Sequence, residues 1–162
     1  SYSVRIAHCN ADWTKSSLAN LDFLTEYNSF PVNQYAFSSD THIPYVHYWF
    51  EVPPVKVAGN YVLTVYRDDT TPVFSKRFMV YSKLVNLATT NDFSGTGQLG
   101  NKQAISFIMQ YPQLEVMNAS TQFEVYIRQN QRWDNLIKNV PPNFLREAQY
   151  EIEYRVNDEA YM

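Results

Sequence analysis

The residue types closest to catalytic chemistry stand together near the start of the chain, in the segment HCNADWT (His8–Thr14). A thiol beside an imidazole could form a nucleophile pair, and His42 and His47 could complete a zinc site with them. Adjacent residues of a strand, however, point to opposite faces of the sheet, so the thiol and the imidazole stay out of hydrogen-bond reach. The histidines also lack the C-x-x-C or H-x-x-x-H spacing of zinc sites. We therefore predict no catalytic residue, no metal ion and no cofactor, and a buried, unreactive thiol at Cys9.

Two pairs of acidic residues are the other candidates for catalysis. Asp68 and Asp69 fall in a polar turn, and Glu151 and Glu153 alternate with apolar residues in the segment YEIEYRV. A glycosidase requires two carboxyl groups that flank a substrate cleft, and nothing around either pair indicates one. We interpret both pairs as solvated groups, and we predict that the chain is not an enzyme.

Aromatic side chains are the feature with the most potential for binding. Phe, Trp and Tyr make up 16% of the 162 residues, with 13 tyrosines against 4 glycines. Trp49 is expected on the solvent side of its strand, and Trp133 follows the polar turn RQNQR. Exposed indole rings can stack on sugars. A carbohydrate-binding β-sandwich module of a surface or periplasmic protein is therefore an alternative function.

Charge and hydropathy exclude other classes of protein. The formal net charge is −3, and no run of Lys or Arg provides an electrostatic footprint for nucleic acid. No segment reaches the ~18 consecutive apolar residues of a membrane-spanning helix. The single cysteine excludes an intrachain disulfide.

Alternation of apolar and polar residues predicts β-strands along most of the chain. Residues 2–9 (YSVRIAHC) and 46–52 (VHYWFEV) each have an apolar face, formed in the second segment by Val46, Tyr48, Phe50 and Val52. Residues 60–67 and 73–81 flank DDTTP (Asp68–Pro72), whose residue types favour a hairpin turn. In the segment AGNYVLTV, Tyr61 resembles the corner tyrosine of immunoglobulin-like sandwiches, which bonds back to the preceding corner.

The long connection after the first strand contains a short helical pattern. In SSLANLDFLTEY the leucines Leu18, Leu21 and Leu24 recur every three residues, and either Ser16 or Ser17 could cap the helix. A long connection of this kind often covers a sheet edge or forms a binding surface.

The region 82–100 is the predicted domain boundary, because three of the four glycines lie in FSGTGQLG and no apolar strand pattern is present. Strands are predicted again in QAISFIMQY, QFEVYIRQN and YEIEYRV. We predict an all-β chain of tandem immunoglobulin-like or fibronectin-like β-sandwich units, with one short helix in a long connection. The first domain covers residues 1–82, and the second, 83–162, is expected to be truncated, as in a piece of a longer protein.

Several blocks of the sequence together resemble a known family. They are HCNADW, the segment from Ser17 to Pro53 that begins SLANLDFLTEY, then GNYVLTVYRDD, FSKRFMV and QRWDNLI. In this order they resemble the plug protein family of the type IX secretion system of the Bacteroidetes. The resemblance spans the chain from Tyr2 to about Tyr154.

The resemblance implies a fold and a function. It implies β-sandwich domains in a periplasmic protein that is peripheral to the outer membrane rather than spanning it. Its implied partner is the large outer-membrane translocation barrel, whose periplasmic side a plug closes while no cargo is passing. No catalytic residue or cofactor is known to us for the family, so none is transferred to this chain.

Candidate contact residues come from the long connection 13–35 and the segment HIPYVHYW, because long loops with surplus aromatic residues often mark interaction sites. The five residues that we expect to bind a partner are Trp13, Phe30, Tyr35, Tyr45 and Trp49. The triplet DTT also fits a short acceptor pattern for O-glycosylation in this bacterial group, which makes Thr70 a candidate modification site.

Overall fold

The computed structural model describes residues 1–89 and 105–156, and antiparallel strands dominate its regular structure. This confirms the all-β, sandwich-like fold class. Contacts divide the chain into two compact units, Ser1–Ser82 and Lys83–Met162. The glycine-rich segment FSGTGQLG, at the predicted domain boundary, lies outside the described residues.

The first unit contains a four-stranded antiparallel sheet with the strand order β2-β1-β5-β6, and a two-stranded ribbon formed by β3 and β4. The elements in chain order are β1 (Tyr2–Cys9), α1 (Asn20–Phe23), β2 (Phe30–Pro31), β3 (Gln34–Phe37), β4 (Val46–Trp49), β5 (Gly59–Arg67) and β6 (Thr71–Val80).

The core of the first unit lies on one face of the four-stranded sheet. Val4 and Ile6 of β1 pair with Val65 and Leu63 of β5 and are almost fully buried. The end of α1 covers them, because Phe23 and Leu24 are buried in the same cluster. Half-buried side chains from β2 and from the connections complete this layer, namely Leu18, Phe30, Val32, Phe50, Val55 and Val57.

Tyr61 is a corner tyrosine, as predicted. Its side chain is fully buried, and its hydroxyl donates a 2.5 Å hydrogen bond to the carbonyl of Val57, four residues upstream. Its ring stacks on Phe78 of β6 at 5.3 Å between centroids. The hydroxyl thereby holds the connection before β5 against the sheet.

The predicted hairpin between β5 and β6 is confirmed. Asp68 and Asp69 turn the chain with φ angles of 50° and 59°, a left-handed conformation that Asp tolerates better than most residues. The register then shifts between Val65 and Tyr66, so that Val73 is an extra residue on β6.

The predicted helix is present but shorter than its leucine pattern indicated. It comprises only Asn20–Phe23, and Asp22 accepts a 2.7 Å hydrogen bond from the amide of Ala19. The predicted cap by Ser16 or Ser17 is wrong, because the residue that precedes the helix is Ala19. The Ser16 hydroxyl instead lies 2.8 Å from the ring of His8. One helical turn does not extend a stripe of leucines, and Leu21 is 70% exposed.

The prediction of a strand with one buried face over residues 46–52 is also wrong. The strand β4 ends at Trp49, and none of its four residues is buried. Its only strand partner in the described part of the chain is β3, so the two strands form a separate ribbon rather than part of the four-stranded sheet. Of the predicted buried face, Phe50 alone packs against the core, just after the strand ends.

The second unit contains a four-stranded antiparallel sheet with the strand order β7-β8-β10-β9. Its elements are β7 (Asn86–Thr89), β8 (Ile105–Gln110), α2 (Ala119–Gln122), β9 (Phe144–Arg146), a 3-10 helix (Glu147–Gln149) and β10 (Glu151–Val156). The buried core comprises Phe107, Met109, Tyr111, Ala119, Val140, Ile152, Tyr154 and Val156.

Two predictions for the second unit are wrong. Asn86–Thr89 is a strand, although the region was predicted to have none. The segment QFEVYIRQN is not a strand: it follows α2 and makes a single isolated bridge, from Ile127 to Ile137.

Candidate docking surface

His8, the first residue of the HCNADWT segment, is a packing residue of the first core. Its Nδ1 atom lies 2.8 Å from the Ser16 hydroxyl, and its ring meets Tyr61 edge-on at 5.0 Å. The buried Nε2 atom has no hydrogen-bond partner among the residues that the structure describes. A Cβ atom at position 59 would lie 2.6 Å from this nitrogen, so the ring occupies space that only a glycine leaves open.

Cys9 lies on the opposite face of β1 from His8, as strand geometry predicts. Its thiol is buried, and burial raises its pKa, which disfavours the reactive thiolate. Asp12 completes a tight turn, with its carboxylate accepting hydrogen bonds from the amide (2.9 Å) and the hydroxyl (2.6 Å) of Thr14. Within residues 1–89 and 105–156, no three His, Cys, Asp or Glu side chains are placed to share a metal ion.

The acidic pair on β10 is ion-paired rather than solvated, which corrects the interpretation from the sequence. Glu153 is only 8% exposed and lies 2.8 Å from a guanidinium nitrogen of Arg155 and 3.0 Å from one of Arg146. Arg155 first, and then Arg146, hold the pKa of this carboxyl below its usual range. Glu151 accepts a 2.7 Å hydrogen bond from Gln110. A carboxylate held ionised in this way is unsuited to act as a general acid.

The largest group of exposed aromatic residues belongs to β3, β4 and the loop between them, which we call the aromatic ribbon (residues 34–49). Its large apolar side chains are between 36% and 74% exposed: Tyr35, Phe37, Ile43, Tyr45, Val46, Tyr48 and Trp49. A cluster of exposed apolar side chains of this kind typically marks a site of interaction. In the register of β3 and β4, Tyr35, Phe37, Val46 and Tyr48 share one face of the ribbon, and Trp49 lies on the other face.

Hydrogen bonds and ring contacts hold the aromatic ribbon in one conformation. Ser38 donates its amide to the carbonyl of Tyr45 (2.9 Å), and its hydroxyl accepts from the amide of Tyr45 (3.0 Å). The hydroxyl of Thr41 lies 2.9 Å from the same Ser38 oxygen and closes the loop. Tyr48 packs edge-on against Tyr2 of β1 at 5.2 Å, which fixes the ribbon to the sheet. The exposed rings are therefore preorganised for binding.

The five residues predicted to bind a partner occupy three different environments. Tyr35, Tyr45 and Trp49 lie on the aromatic ribbon and are about half exposed. Phe30 is half-buried in β2, where its ring lies 6.1 Å from that of Phe50. Trp13 is half-buried under the guanidinium of Arg77, on the sheet face opposite the core.

Sequence reasoning did not single out Phe37 and Ile43, which are each 74% exposed on the same ribbon. For Ile43 the available signal was its position within the segment HIPYVHYW, whereas Phe37 lies outside both segments from which the candidates were chosen. Thr70 is exposed in the turn between β5 and β6. Its glycosylation stays a prediction.

Comparison with known families identifies the first unit. Residues 1–82 match the model of the type 9 secretion system plug protein 1st domain. The chain belongs to the type 9 secretion system plug protein family. The match covers half of the chain and ends where the first compact unit ends.

A solved structure is similar over almost the whole chain. It is a hypothetical protein from Parabacteroides merdae ATCC 43184, with a TM-score of 0.87 and 26% sequence identity over 97% of this chain. The plug-family chain corresponds to 41% of that protein, and so spans less than half of its length. No curated protein matched. In the described part of the chain, no helix has the length and apolar character needed to cross a bilayer.

Proposed function

We propose that the chain is part of a non-catalytic plug that binds the periplasmic side of an outer-membrane translocation barrel and closes it between transport events. The observation that supports this proposal most directly is the aromatic ribbon, a fixed apolar surface on a unit of the plug family. The protein would lie in the periplasm, peripheral to the outer membrane. Its partner would be the barrel rather than a small molecule or a nucleic acid.

The physical demands of closing a channel suit such a surface. A plug has to present a rigid face that buries enough area to resist displacement, and a standard interface buries about 800 Å² per partner. Tyr, Trp and Phe are enriched in the centres of interfaces because they bury much area at little cost in conformational entropy. The ribbon offers these residues on a hydrogen-bonded framework, so that little ordering remains to be done on binding.

The test is co-purification of the full-length protein from native membranes, followed by identification of what accompanies it. In the test variant, Tyr35, Phe37 and Tyr45 are replaced by Ser. The matched control replaces Tyr27 and Tyr81, which are 84% and 81% exposed but lie outside the ribbon, by Ser. We expect the wild-type and control proteins to co-purify with the barrel. The ribbon variant should recover at least about tenfold less barrel, which corresponds to a loss of about 1.4 kcal/mol in binding free energy. Equal recovery by all three proteins would contradict the proposed surface.

Carbohydrate binding is the second candidate, and the exposed indole of Trp49 favours it. Trp133 is a weaker platform, because the guanidinium of Arg128 lies 4.3 Å from the centre of its ring and covers one face. A sugar-binding module would bind glycans in a glycan array and lose that binding in Trp49→Ala. We expect no glycan binding by the wild-type protein.

A further inference from the structure

The strand β6 forms an edge of the four-stranded sheet. It pairs with β5 on one side, and on the other side no strand of the described residues pairs with it. The strand is ten residues long, and most of its side chains are exposed. An edge of this length presents a row of backbone amides and carbonyls that an extended chain could pair with.

An apolar cleft of about 710 Å³ adjoins this edge; we call it the edge cleft. The core-facing side chains of β6 line it, with Phe74, Lys76 and Phe78 in alternate positions. Tyr48 and Trp49 of the aromatic ribbon, followed by Phe50 and Val52, supply other lining residues, and β1 and β5 contribute Tyr2, Val4, Leu63 and Val65. The aromatic ribbon thus covers the four-stranded sheet at β1, where Tyr48 contacts Tyr2. The core-facing side of β6 is more open, and Phe74 is 56% exposed there.

The positive charge of Lys76 determines which kind of peptide segment the edge cleft favours. Lys76 is the only charged residue that lines it, and among the described residues it forms no ion pair. The strand β6 also contains Arg77 and no acidic residue. If a second copy of the chain paired its β6 with this edge around these positions, the basic side chains would face each other and repel. An acidic partner segment would instead neutralise Lys76.

We propose that β6 binds an extended segment of another protein as a fifth strand, with the pattern apolar-x-acidic-x-apolar. The acidic side chain pairs with Lys76, and the two apolar side chains pack on Phe74 and Phe78 in the edge cleft. This spacing follows from the two-residue repeat of a strand, which places every second side chain on the cleft face. The inference goes beyond gating, since it assigns a second binding surface that does not require the barrel.

The experiment uses a synthetic peptide, Thr-Val-Ser-Glu-Thr-Val-Ser, with blocked ends and a fluorophore on a Gly-Ser linker. Binding to the full chain is followed by fluorescence anisotropy. The control peptide carries Lys in place of Glu. We expect the first peptide to bind wild-type protein at least about tenfold more tightly than the control peptide, and Lys76→Glu to reverse this preference. Because Lys76 is exposed, thermal unfolding of the variant should match that of the wild-type protein.

The alternative role of Lys76 is to protect the edge from self-association. In that case neither peptide binds, and the Lys76→Thr variant forms dimers that sedimentation detects. This result overturns the proposal. Equal binding of both peptides overturns it as well. The ribbon variant Tyr35→Ser/Phe37→Ser/Tyr45→Ser should keep its peptide affinity. A failure of the strand-addition proposal is therefore distinguishable from a failure of the proposed gating surface.

Discussion

At the scale of single residues, Gly59 allows the core of the first unit to close. Its φ of +152° is one that residues with a side chain rarely adopt, and His8 fills the space where a Cβ would stand. We expect Gly59→Ala to lower the free energy of unfolding by about 1–3 kcal/mol, through backbone strain and displacement of the imidazole. Urea denaturation of the full chain measures the loss.

A double variant separates the two causes. With His8→Ala in the same chain, the added methyl group no longer meets the ring, so the loss in Gly59→Ala/His8→Ala should be smaller than the sum of the single losses. Strict additivity would show that the backbone angle alone matters. The sequence could not predict this contact, because it depends on the register that pairs His8 with Tyr61.

The corner tyrosine gives a second prediction at this scale. Tyr61→Phe keeps the stacked ring but removes the donor to Val57, which leaves a carbonyl unpaired and should lower the free energy of unfolding by about 1–3 kcal/mol. The matched control is Tyr81→Phe, because the side chain of Tyr81 is 81% exposed. Removing its hydroxyl should change the free energy of unfolding by less than about 0.5 kcal/mol. Equal urea midpoints for the two variants would refute a structural role for the hydroxyl. This role was predictable, because a corner tyrosine is recognised from its local sequence.

At the scale of elements, alternation predicted side-chain direction better than strand pairing. In QFEVYIRQN, Phe123, Val125 and Ile127 do pack against the second core. The segment has no continuous ladder, since only Ile127 bridges to another residue. Alternation reports which side chains face a core, whereas a strand also needs a neighbouring backbone, and a single sequence does not reveal where that backbone lies. The same limit explains β4, whose apolar residues mark an exposed ribbon.

The ion-paired face of β10 predicts a dependence of stability on pH. Arg155 and Arg146 lower the pKa of Glu153 in the folded state, relative to an ordinary value of 4.5. The stabilisation is therefore fully present above pH 4.5 and is lost as the pH falls through the lowered pKa of the folded state. Glu153→Gln should unfold at lower urea than wild type at pH 7, and the difference should shrink in acid.

Glu115→Gln serves as the control for this experiment, since Glu115 is exposed and joins no ion pair of the described residues. Its urea midpoint should follow that of the wild-type protein at both pH values. A constant difference between Glu153→Gln and wild type down to strong acid would rule out the proposed ionic stabilisation.

At the scale of the whole molecule, the two units have separate cores, and we propose that they are separate folding domains. Ile6 and Ile152 provide a matched test, because each is at most 1% exposed in a central strand of its own sheet. Ile→Val at such a site lowers the free energy of unfolding by about 0.5–1.5 kcal/mol. For a domain of this size, each kcal/mol lowers the thermal unfolding midpoint by roughly 4–8 °C. In calorimetry of the full chain, Ile6→Val should shift one transition and Ile152→Val the other. If each variant moves a single shared transition, the two cores unfold cooperatively and the division into domains is wrong.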